Sequence, residues 1–275
     1  MRCAKFSLGA RPPLTGFVGA RRVGRNDRRE AEASRILPQQ AFNPIRNADT
    51  CVVCLGSRDG FEPMCNSCRD NESSGGGMLA DVVVPLTYAG EMNAQLRRDL
   101  RNYKDGYGID VRADALYRLS ALAWSFFHHH ARCLDAIGGP VTDFVTVPSG
   151  KPGGRADGHP LEGLAKFAPS HWNRLEAVRI REARSRSLDS KSLELAYDYD
   201  LAGRHVVVFD DTWTSGAKSQ SVAKVLRKAG AAFVSIVVVA RILRIGWAPT
   251  AALLEKYPKT PWSGSICPVT GGQCP

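Results

Sequence analysis

The chain has 275 residues, of which 44% are hydrophobic and 23% are charged, and its net charge is +10. This length suffices for one α/β domain with a buried core and for a small additional module. Nowhere do eighteen uncharged apolar residues follow one another, so the sequence predicts no membrane span.

Most of the net positive charge lies at the front of the chain. Residues 1–46 contain ten Lys or Arg and three Asp or Glu residues, a net charge of +7 that leaves +3 for the remainder. Scattered apolar residues without a period predict disorder for this basic segment. Arg21 and Arg22 are not followed by the apolar run that an export signal contains. We therefore expect a cytoplasmic protein. A DNA-contacting tail, an Arg-rich transit peptide and an over-extended start of translation are alternatives.

Two C-x-x-C pairs follow, with ten residues between them. Each pair can place two thiolates on one tight turn, and two such turns complete a tetrahedral sulfur site for zinc. Four sulfurs leave no open coordination position, so the zinc would be structural. Two disulfides are the alternative, which the lack of a secretory signal disfavours. We assign this zinc module to residues 47–70. The predicted zinc ligands are Cys51, Cys54, Cys65 and Cys68.

The following segments divide the rest of the chain. Residues 71–78 are rich in Gly and Ser and are predicted to be a linker. The main domain is predicted to span residues 79–245, and residues 246–275 form a C-terminal tail. Within the main domain, residues 111–136 have the apolar stripe of a long helix. Of the three consecutive histidines at 128–130, we expect one to be packed and two to be solvated, because consecutive helical residues point to different faces.

The other cysteines lack the C-x-x-C spacing. Cys3 and Cys133 are predicted to be inert. Cys267 and Cys274 lie in the tail with six residues between them, and the sequence leaves open whether they cover the zinc module or bind nothing. The basic run 174–186 is predicted to be a solvated helix face, with a nucleic-acid patch as the alternative.

Residues 205–217 are the most informative segment. The apolar residues 206–209 predict a buried parallel strand, and Asp210 and Asp211 follow where open α/β sheets bind ligands. Small hydroxyl residues and a glycine then precede a predicted helix at 219–228. Such a turn directs backbone N–H groups at one point, where the helix dipole adds positive charge. The pattern suits a sugar phosphate with a divalent ion beside the acids. A simple helix cap is the alternative.

The stretch from Asp210 to Gly216 (DDTWTSG) resembles the phosphoribosyl-pyrophosphate (PRPP) motif of type I phosphoribosyltransferases. Together with the four-cysteine module, it resembles the ComF family of competence-associated proteins. The resemblance implies an α/β fold, in which a parallel sheet with flanking helices follows a small zinc module. It also implies that PRPP binds with Mg²⁺ and that the two acids hold the ribose hydroxyls. The loop implied for the 5′-phosphate consists of Thr214, Ser215, Gly216, Ala217 and Lys218.

Weaker matches extend the resemblance. Residues 82–90 and the basic stretch 95–104 are similar to the family's opening strand and helix. Residues 144–151 lie where the family has a strand and a Val-Pro turn, and in related transferases that turn contacts the pyrophosphate. The resemblance therefore implies that Lys151 stabilises the departing pyrophosphate. The implied catalytic residues are Asp210, Asp211 and Lys151, and the turn adds Ser149 and Gly150 to the PRPP site.

The chain departs from the family in three places. Lys218 replaces the usual Thr, and residues 155–160 replace the usual Arg-Gly-Phe-Asn segment. No counterpart of the family's mobile loop is evident between Arg179 and Tyr199. A lysine at position 218 can still meet a phosphate, so this change alters binding without excluding it. The other two differences bear on the transferase reaction more than on PRPP binding.

These observations lead to two hypotheses about function. The first is phosphoribosyl transfer with release of pyrophosphate to an acceptor that the sequence leaves open. The second is a non-catalytic accessory of DNA uptake or recombination, regulated by PRPP or another nucleotide. Its partners would be single-stranded DNA or the DNA-uptake machinery. Self-association is left open.

Overall fold

A computed structural model of the protein describes residues 25–149, 159–182, 187–257 and 259–275. The helices are α1 (Arg25–Gln40), α2 (Asn66–Gly75), α3 (Ala94–Asp105), α4 (Ile109–His129), α5 (Asp135–Gly138), α6 (Glu162–Ala165), α7 (Ala217–Lys228) and α8 (Ala248–Lys256). The strands are β1 (Val82–Gly90), β2 (Val141–Thr146), β3 (Asn173–Arg174), β4 (Ala177–Arg179), β5 (Leu193–Leu195), β6 (His205–Trp213) and β7 (Phe233–Leu243).

A five-stranded parallel sheet forms the centre of the protein. Its strand order is β1-β7-β6-β2-β3, and helices flank it on both faces, which confirms the predicted α/β fold class. The middle strand, β6, contains the predicted apolar run, and residues 206–209 are completely buried. Burial on both faces is the reason that this strand is continuously apolar instead of alternating.

Side chains of β6 alternate between two separate layers of the core. Val207 and Phe209 pack in the layer that contains α3, α4 and α6. Val206 and Val208 pack in the opposite layer, with α7 and the four cysteines of residues 51–68. After β2 the chain passes through the layer of α6 to β3, towards one edge of the sheet. After β6 it passes through α7, in the opposite layer, to β7, towards the other edge. The ends of β2 and β6 therefore meet at a topological switch point, the usual place for a ligand in such sheets.

The predicted disorder of residues 1–46 is wrong for its second half. Residues 25–40 form α1, which packs on α4 and buries Ala33, Ile36 and Leu37. This i, i+3, i+4 spacing is a narrow apolar stripe of the kind that holds a surface helix on a core. Residues 1–24 lie outside the described part of the chain.

The structure differs from the predictions for the linker and the basic run, and agrees with the prediction for the three histidines. Residues 71–75 are not an extended linker, because they complete α2, and Lys224 of α7 donates to the Ser74 carbonyl at 2.9 Å. The described part of the basic run, 174–182, contains strand residues and no helix. The long helix ends at His129, and the histidine prediction is confirmed: the first two are exposed and the third is buried. Among the helices of the described residues, none combines the length and hydropathy needed to cross a bilayer.

Replacing Leu37 with alanine tests whether α1 belongs to the folded domain. Its side chain is 1% exposed, so Leu37→Ala should lower the free energy of unfolding by about 2–5 kcal/mol. Arg28→Ala, at an exposed position of the same helix, should change it by less than about 0.5 kcal/mol. Denaturant unfolding measures both variants. Equal stability of the two would mean that α1 detaches from the core at little cost.

Candidate functional site

The two acids of β6 point to opposite faces of the sheet. Successive residues of a strand alternate in direction, and the contacts follow this rule. Asp210 faces α7, where it accepts a hydrogen bond from Ser219 Oγ at 2.6 Å. Asp211 faces α3, where Tyr103 and Lys104 contact its Oδ2 atom. The acid pair therefore spans the end of the strand, with one carboxylate in each layer.

Asp210 has a raised pKa. Burial is the main cause and the neighbouring charge of Asp211 adds to it, so the pKa of Asp210 rises to about 6. The Ser219 hydroxyl and the backbone N–H of Asp211, which donates to Asp210 Oδ1 at 2.8 Å, oppose the increase by stabilising the ionised form. This carboxyl group thus changes charge close to neutral pH.

Asp211 has the opposite shift, although it is equally enclosed. Burial raises its pKa, but the ammonium group of Lys104 and hydrogen bonds from Tyr103 and Thr212 outweigh burial and leave the pKa below its usual range. Thr212 Oγ1 donates to Asp211 Oδ1 at 3.0 Å. Sequence reasoning missed Tyr103 and Lys104, since nothing in a basic helix indicates which side chain meets an acid more than a hundred residues later.

The loop after the acids requires its glycine. Gly216 has φ +77°, in the left-handed region that favours glycine. A Cβ atom there would lie 2.1 Å from Cζ2 of Trp213, a completely buried ring. Asn71 of α2 donates to the Ser215 carbonyl at 2.8 Å. The loop therefore reaches the first turn of α7 in a fixed conformation, with the helix N-terminus available to an anion.

The turn after β2 lies beside this loop. Val147 donates to the Phe209 carbonyl at 3.0 Å, so the end of β2 is level with the acids of β6. The Ser149 carbonyl accepts a hydrogen bond from Arg179 Nε at 2.6 Å. Arg179 is 6% exposed, and its Nη2 atom has no hydrogen-bond partner within the described residues. Sequence reasoning missed this buried cation. Gly150 and Lys151 lie outside the described residues.

A two-stranded antiparallel ribbon occupies much of the segment between Arg179 and Tyr199, in which the sequence shows no counterpart of the family's mobile loop. Strands β4 and β5 form it. Arg181 pairs with Asp189 at 2.7 Å, and the Asp189 N–H donates to Ser221 Oγ of α7 at 2.8 Å. The ribbon is therefore attached both to the Ser149 turn, through Arg179, and to the helix that follows the glycine loop.

The four cysteines of residues 51–68 form a compact sulfur cluster. Their Sγ atoms lie within 4.8 Å of one another, all four residues are buried, and the Cys54 and Cys65 sulfurs are 3.7 Å apart. Four sulfurs at about 2.3 Å from zinc are about 3.8 Å apart in a tetrahedron. The donor set fits zinc in a closed structural site, as the sequence predicts.

Arg241 connects this cysteine cluster to the glycine loop. Its Nε donates to Cys54 Sγ at 3.3 Å, and its Nη1 donates to the carbonyls of Trp213 and Thr214 at 3.1 and 3.0 Å. Arg241 is 7% exposed. A Cβ atom at Gly56 would lie 2.6 Å from its Nη2 atom, so the glycine makes room for the guanidinium group. Sequence reasoning missed Arg241, which lies within the predicted main domain.

Comparisons with known proteins give weak similarities. No protein-family model and no curated protein matches the chain. Two crystal forms of a hypoxanthine phosphoribosyltransferase from Staphylococcus aureus are similar at 13% identity, with TM-scores of 0.27 and 0.29. They are matched over 54% and 43% of this chain, which spans 65% and 63% of theirs. A phosphoribosyltransferase from Corynebacterium diphtheriae is 18% identical over 56% of this chain and 98% of its own, with a TM-score of 0.27.

The Arg241 contacts predict that the cysteine cluster and the glycine loop depend on each other. The sequence alone predicts that replacing one of these cysteines with serine unfolds residues 48–70 and leaves PRPP binding by the main domain largely intact. We now expect Cys54→Ser to lose the cluster's zinc and also to raise amide hydrogen exchange at residues 213–217. The physical reason is that breaking one contact of a buried charge costs about 3–5 kcal/mol.

Val52→Ser is the matched control, because Val52 lies in the same turn and is 64% exposed. It should retain the zinc and leave the loop's exchange unchanged. A zinc-depleted Cys54→Ser protein with wild-type exchange at residues 213–217 would contradict the coupling.

Proposed function

We propose that the protein binds PRPP at the ends of β2 and β6 and acts as a phosphoribosyltransferase. The observation that carries the proposal is the juxtaposition of Asp210 with a left-handed glycine turn and the N-terminus of α7, at the sheet's topological switch point. The backbone N–H groups of that turn suit a phosphate, and the acids suit sugar hydroxyls. The resemblance to the ComF family agrees with this assignment; a competence-associated activity and a DNA partner stay predictions.

Each part of the site has one task in this proposal. The Thr214 to Lys218 loop binds the 5′-phosphate, and Asp210 and Asp211 hold the ribose as positive charge develops at its anomeric carbon. The Ser149 turn faces the pyrophosphate, and Arg179 orients that turn through the Ser149 carbonyl. The role of Lys151 in stabilising the pyrophosphate, which the family resemblance implies, stays a prediction. Mg²⁺ bound with PRPP would neutralise the leaving pyrophosphate.

Lys104 limits how the site meets a divalent ion. Its ammonium group pairs with the Asp211 carboxylate, so the acid pair presents less than its full double negative charge. A free divalent ion is therefore attracted weakly, whereas an ion that arrives with PRPP contributes its own phosphate ligands. We accordingly expect the ion and PRPP to bind together.

Calorimetry with PRPP and Mg²⁺ tests the acid pair directly. The double variant Asp210→Asn, Asp211→Asn should bind PRPP about a hundredfold more weakly or not at all, since hydrogen bonds to charged groups are worth about 1.5–3 kcal/mol each. Omitting Mg²⁺ should have a comparable effect on the wild-type protein. Near wild-type affinity in a folded double variant would falsify the assignment.

Asp143→Asn is the control, because it removes another buried carboxylate, on β2, whose partner is Arg204. It should leave PRPP affinity unchanged. Pyrophosphate release with PRPP and a panel of amines and nucleobases then separates the two hypotheses about function. Release with any acceptor supports the transferase, and tight binding without release across the panel favours the regulatory accessory.

The raised pKa of Asp210 predicts a pH dependence. Because the ionised carboxylate is needed to hold the ribose, PRPP affinity should fall as the pH drops through about 6. The Ser219 hydroxyl stabilises the ionised form, so Ser219→Ala should raise the pKa and move the midpoint upward. The shift should be about one pH unit, since a hydrogen bond to a charged group is worth about 1.5 kcal/mol.

Ser221→Ala is the matched control for this measurement. Ser221 is a buried serine of the same helix, but its hydroxyl donates to the Ala217 carbonyl instead of an acid. Protonation of PRPP itself affects all three proteins equally, so the difference between the two variants isolates Asp210. Identical midpoints for the two serine variants would remove Asp210 from the binding equilibrium.

A further inference from the structure

We infer that the protein has a second structural zinc site, formed by His130, Cys133, Cys267 and Cys274. One ring nitrogen of the histidine and the three sulfurs lie within 4.8 Å of one another. Three thiolates and one imidazole are a standard closed donor set for zinc. This second cluster shares no residue with the sulfur cluster of residues 51–68 and is independent of the proposed PRPP site.

The side chains of the second cluster are placed as ligands would be. His130 Nδ1 lies 3.3 Å from Cys274 Sγ, within the ligand-to-ligand distances of a tetrahedral zinc site. His130, Cys133 and Cys267 are at most 5% exposed, and only Cys274 is exposed. A polar imidazole is therefore enclosed among three sulfurs instead of meeting water, which is costly unless the ring has a strong partner.

The first half of the second cluster is a single turn after α4. The His130 N–H donates to the Phe126 carbonyl at 2.7 Å, which ends the helix, and the Cys133 N–H donates back to the His130 carbonyl at 3.0 Å. This short turn brings the ends of a His-x-x-Cys segment together. It has the spacing of the C-x-x-C pairs, with a histidine in the first position.

The second half of the second cluster is a tight loop in the tail. The backbone N–H of Cys267 donates to the Gly272 carbonyl at 2.7 Å, and the N–H of Gly271 donates to the Cys267 carbonyl, also at 2.7 Å. Both hydrogen bonds involve the backbone of Cys267 itself, so the loop fixes the residue that carries this sulfur.

Arg46 holds this tail loop against the body of the protein. Gly271 has φ +81°, and a Cβ atom there would lie 2.7 Å from Arg46 Cδ. Arg46 also donates to the Pro268 carbonyl at 3.3 Å. Its guanidinium group interacts electrostatically with Cys267, so a cation stands beside a site that would carry one net negative charge with zinc bound. Arg241 has the corresponding place beside Cys54.

A disulfide fits these four residues less well than a metal. One disulfide would use two sulfurs and leave the third thiol and the imidazole outside the bond, in the same enclosed space. Zinc uses all four groups and removes the cost of burying them. Its effect would be to fasten the tail to the turn after α4, joining residues 144 positions apart.

Metal content of the full-length protein tests the second site. Protein purified without chelator should contain two zinc ions per chain by elemental analysis. The variant Cys267→Ser, Cys274→Ser should contain one, because the cluster of residues 51–68 remains and serves as an internal standard. Cys3→Ser is the control, since the sequence predicts that Cys3 is inert, and it should retain two.

Histidine variants separate metal binding from packing. His130→Cys creates a four-sulfur set and should retain two zinc ions, whereas His130→Ala should hold the second ion weakly and lose it to a mild chelator. Replacement of zinc by Co²⁺ adds a spectroscopic readout, the sulfur-to-metal charge-transfer absorbance. The first cluster has four thiolates and the second has three, so loss of the second site in the double cysteine variant should remove three of the seven contributions.

Three results would overturn the second site. These are one zinc ion in the wild-type protein, two in the double cysteine variant, or a disulfide between two of the three cysteines in protein purified under reducing conditions and shown by mass spectrometry.

Discussion

Arg241 is a buried cation on which the arrangement of both the cysteine cluster and the glycine loop depends. Taking a guanidinium group out of water costs several kcal/mol unless its donors are satisfied. Here one donor meets a cysteine sulfur and another meets carbonyls at the end of β6 and in the loop beyond it. Four thiolates around a zinc ion would carry two net negative charges, which this cation would partly balance. The cysteine cluster is therefore an electrostatic partner of the glycine loop as well as a local brace.

This arrangement changes how the small cysteine segment relates to the main sheet. Its four cysteines pack in the same layer as Val206, Val208 and the helix α7. The helix that carries Cys68 also supplies Asn71, which donates to the Ser215 carbonyl. The loop is thus held by two polar contacts from one side and by the Trp213 ring beneath Gly216. A ligand that binds there meets a preorganised backbone and loses little affinity to ordering.

Much of the central fold follows from short-range patterns. The apolar runs at 206–209 and 233–240 fall within β6 and β7, and the glycine at 230, with φ +100°, lies two residues beyond the end of α7 as a helix stop does. The cysteine spacing also predicts a cluster that the structure brings together. These features depend on neighbours a few residues apart, which is the range over which a single sequence is informative.

The features that the sequence did not reveal depend on tertiary contacts. The helix α1 has only three buried positions amid many arginines, so its amphipathic character is weak until α4 covers it. The end of α2 has linker-like composition but is fixed by Asn71 and by Lys224. Opposite environments for Asp210 and Asp211 follow from strand alternation, yet their partners come from helices distant in sequence. Cys267 and Cys274 have six residues between them, a spacing that becomes meaningful only beside His130 and Cys133.

The pairing of β1 with β7 has a consequence for the order in which the protein can form during synthesis. The N–H of Val234 donates to Asp81, 153 residues earlier, and β7 is the one strand of the described residues that pairs with β1. An apolar strand therefore leaves the ribosome long before its partner exists, and contacts of such separation form slowly. The cysteine cluster of residues 51–68 is local and can close beforehand. The tail is synthesised after the strands of the sheet, so its contact with the turn after α4 can form only once those strands are present.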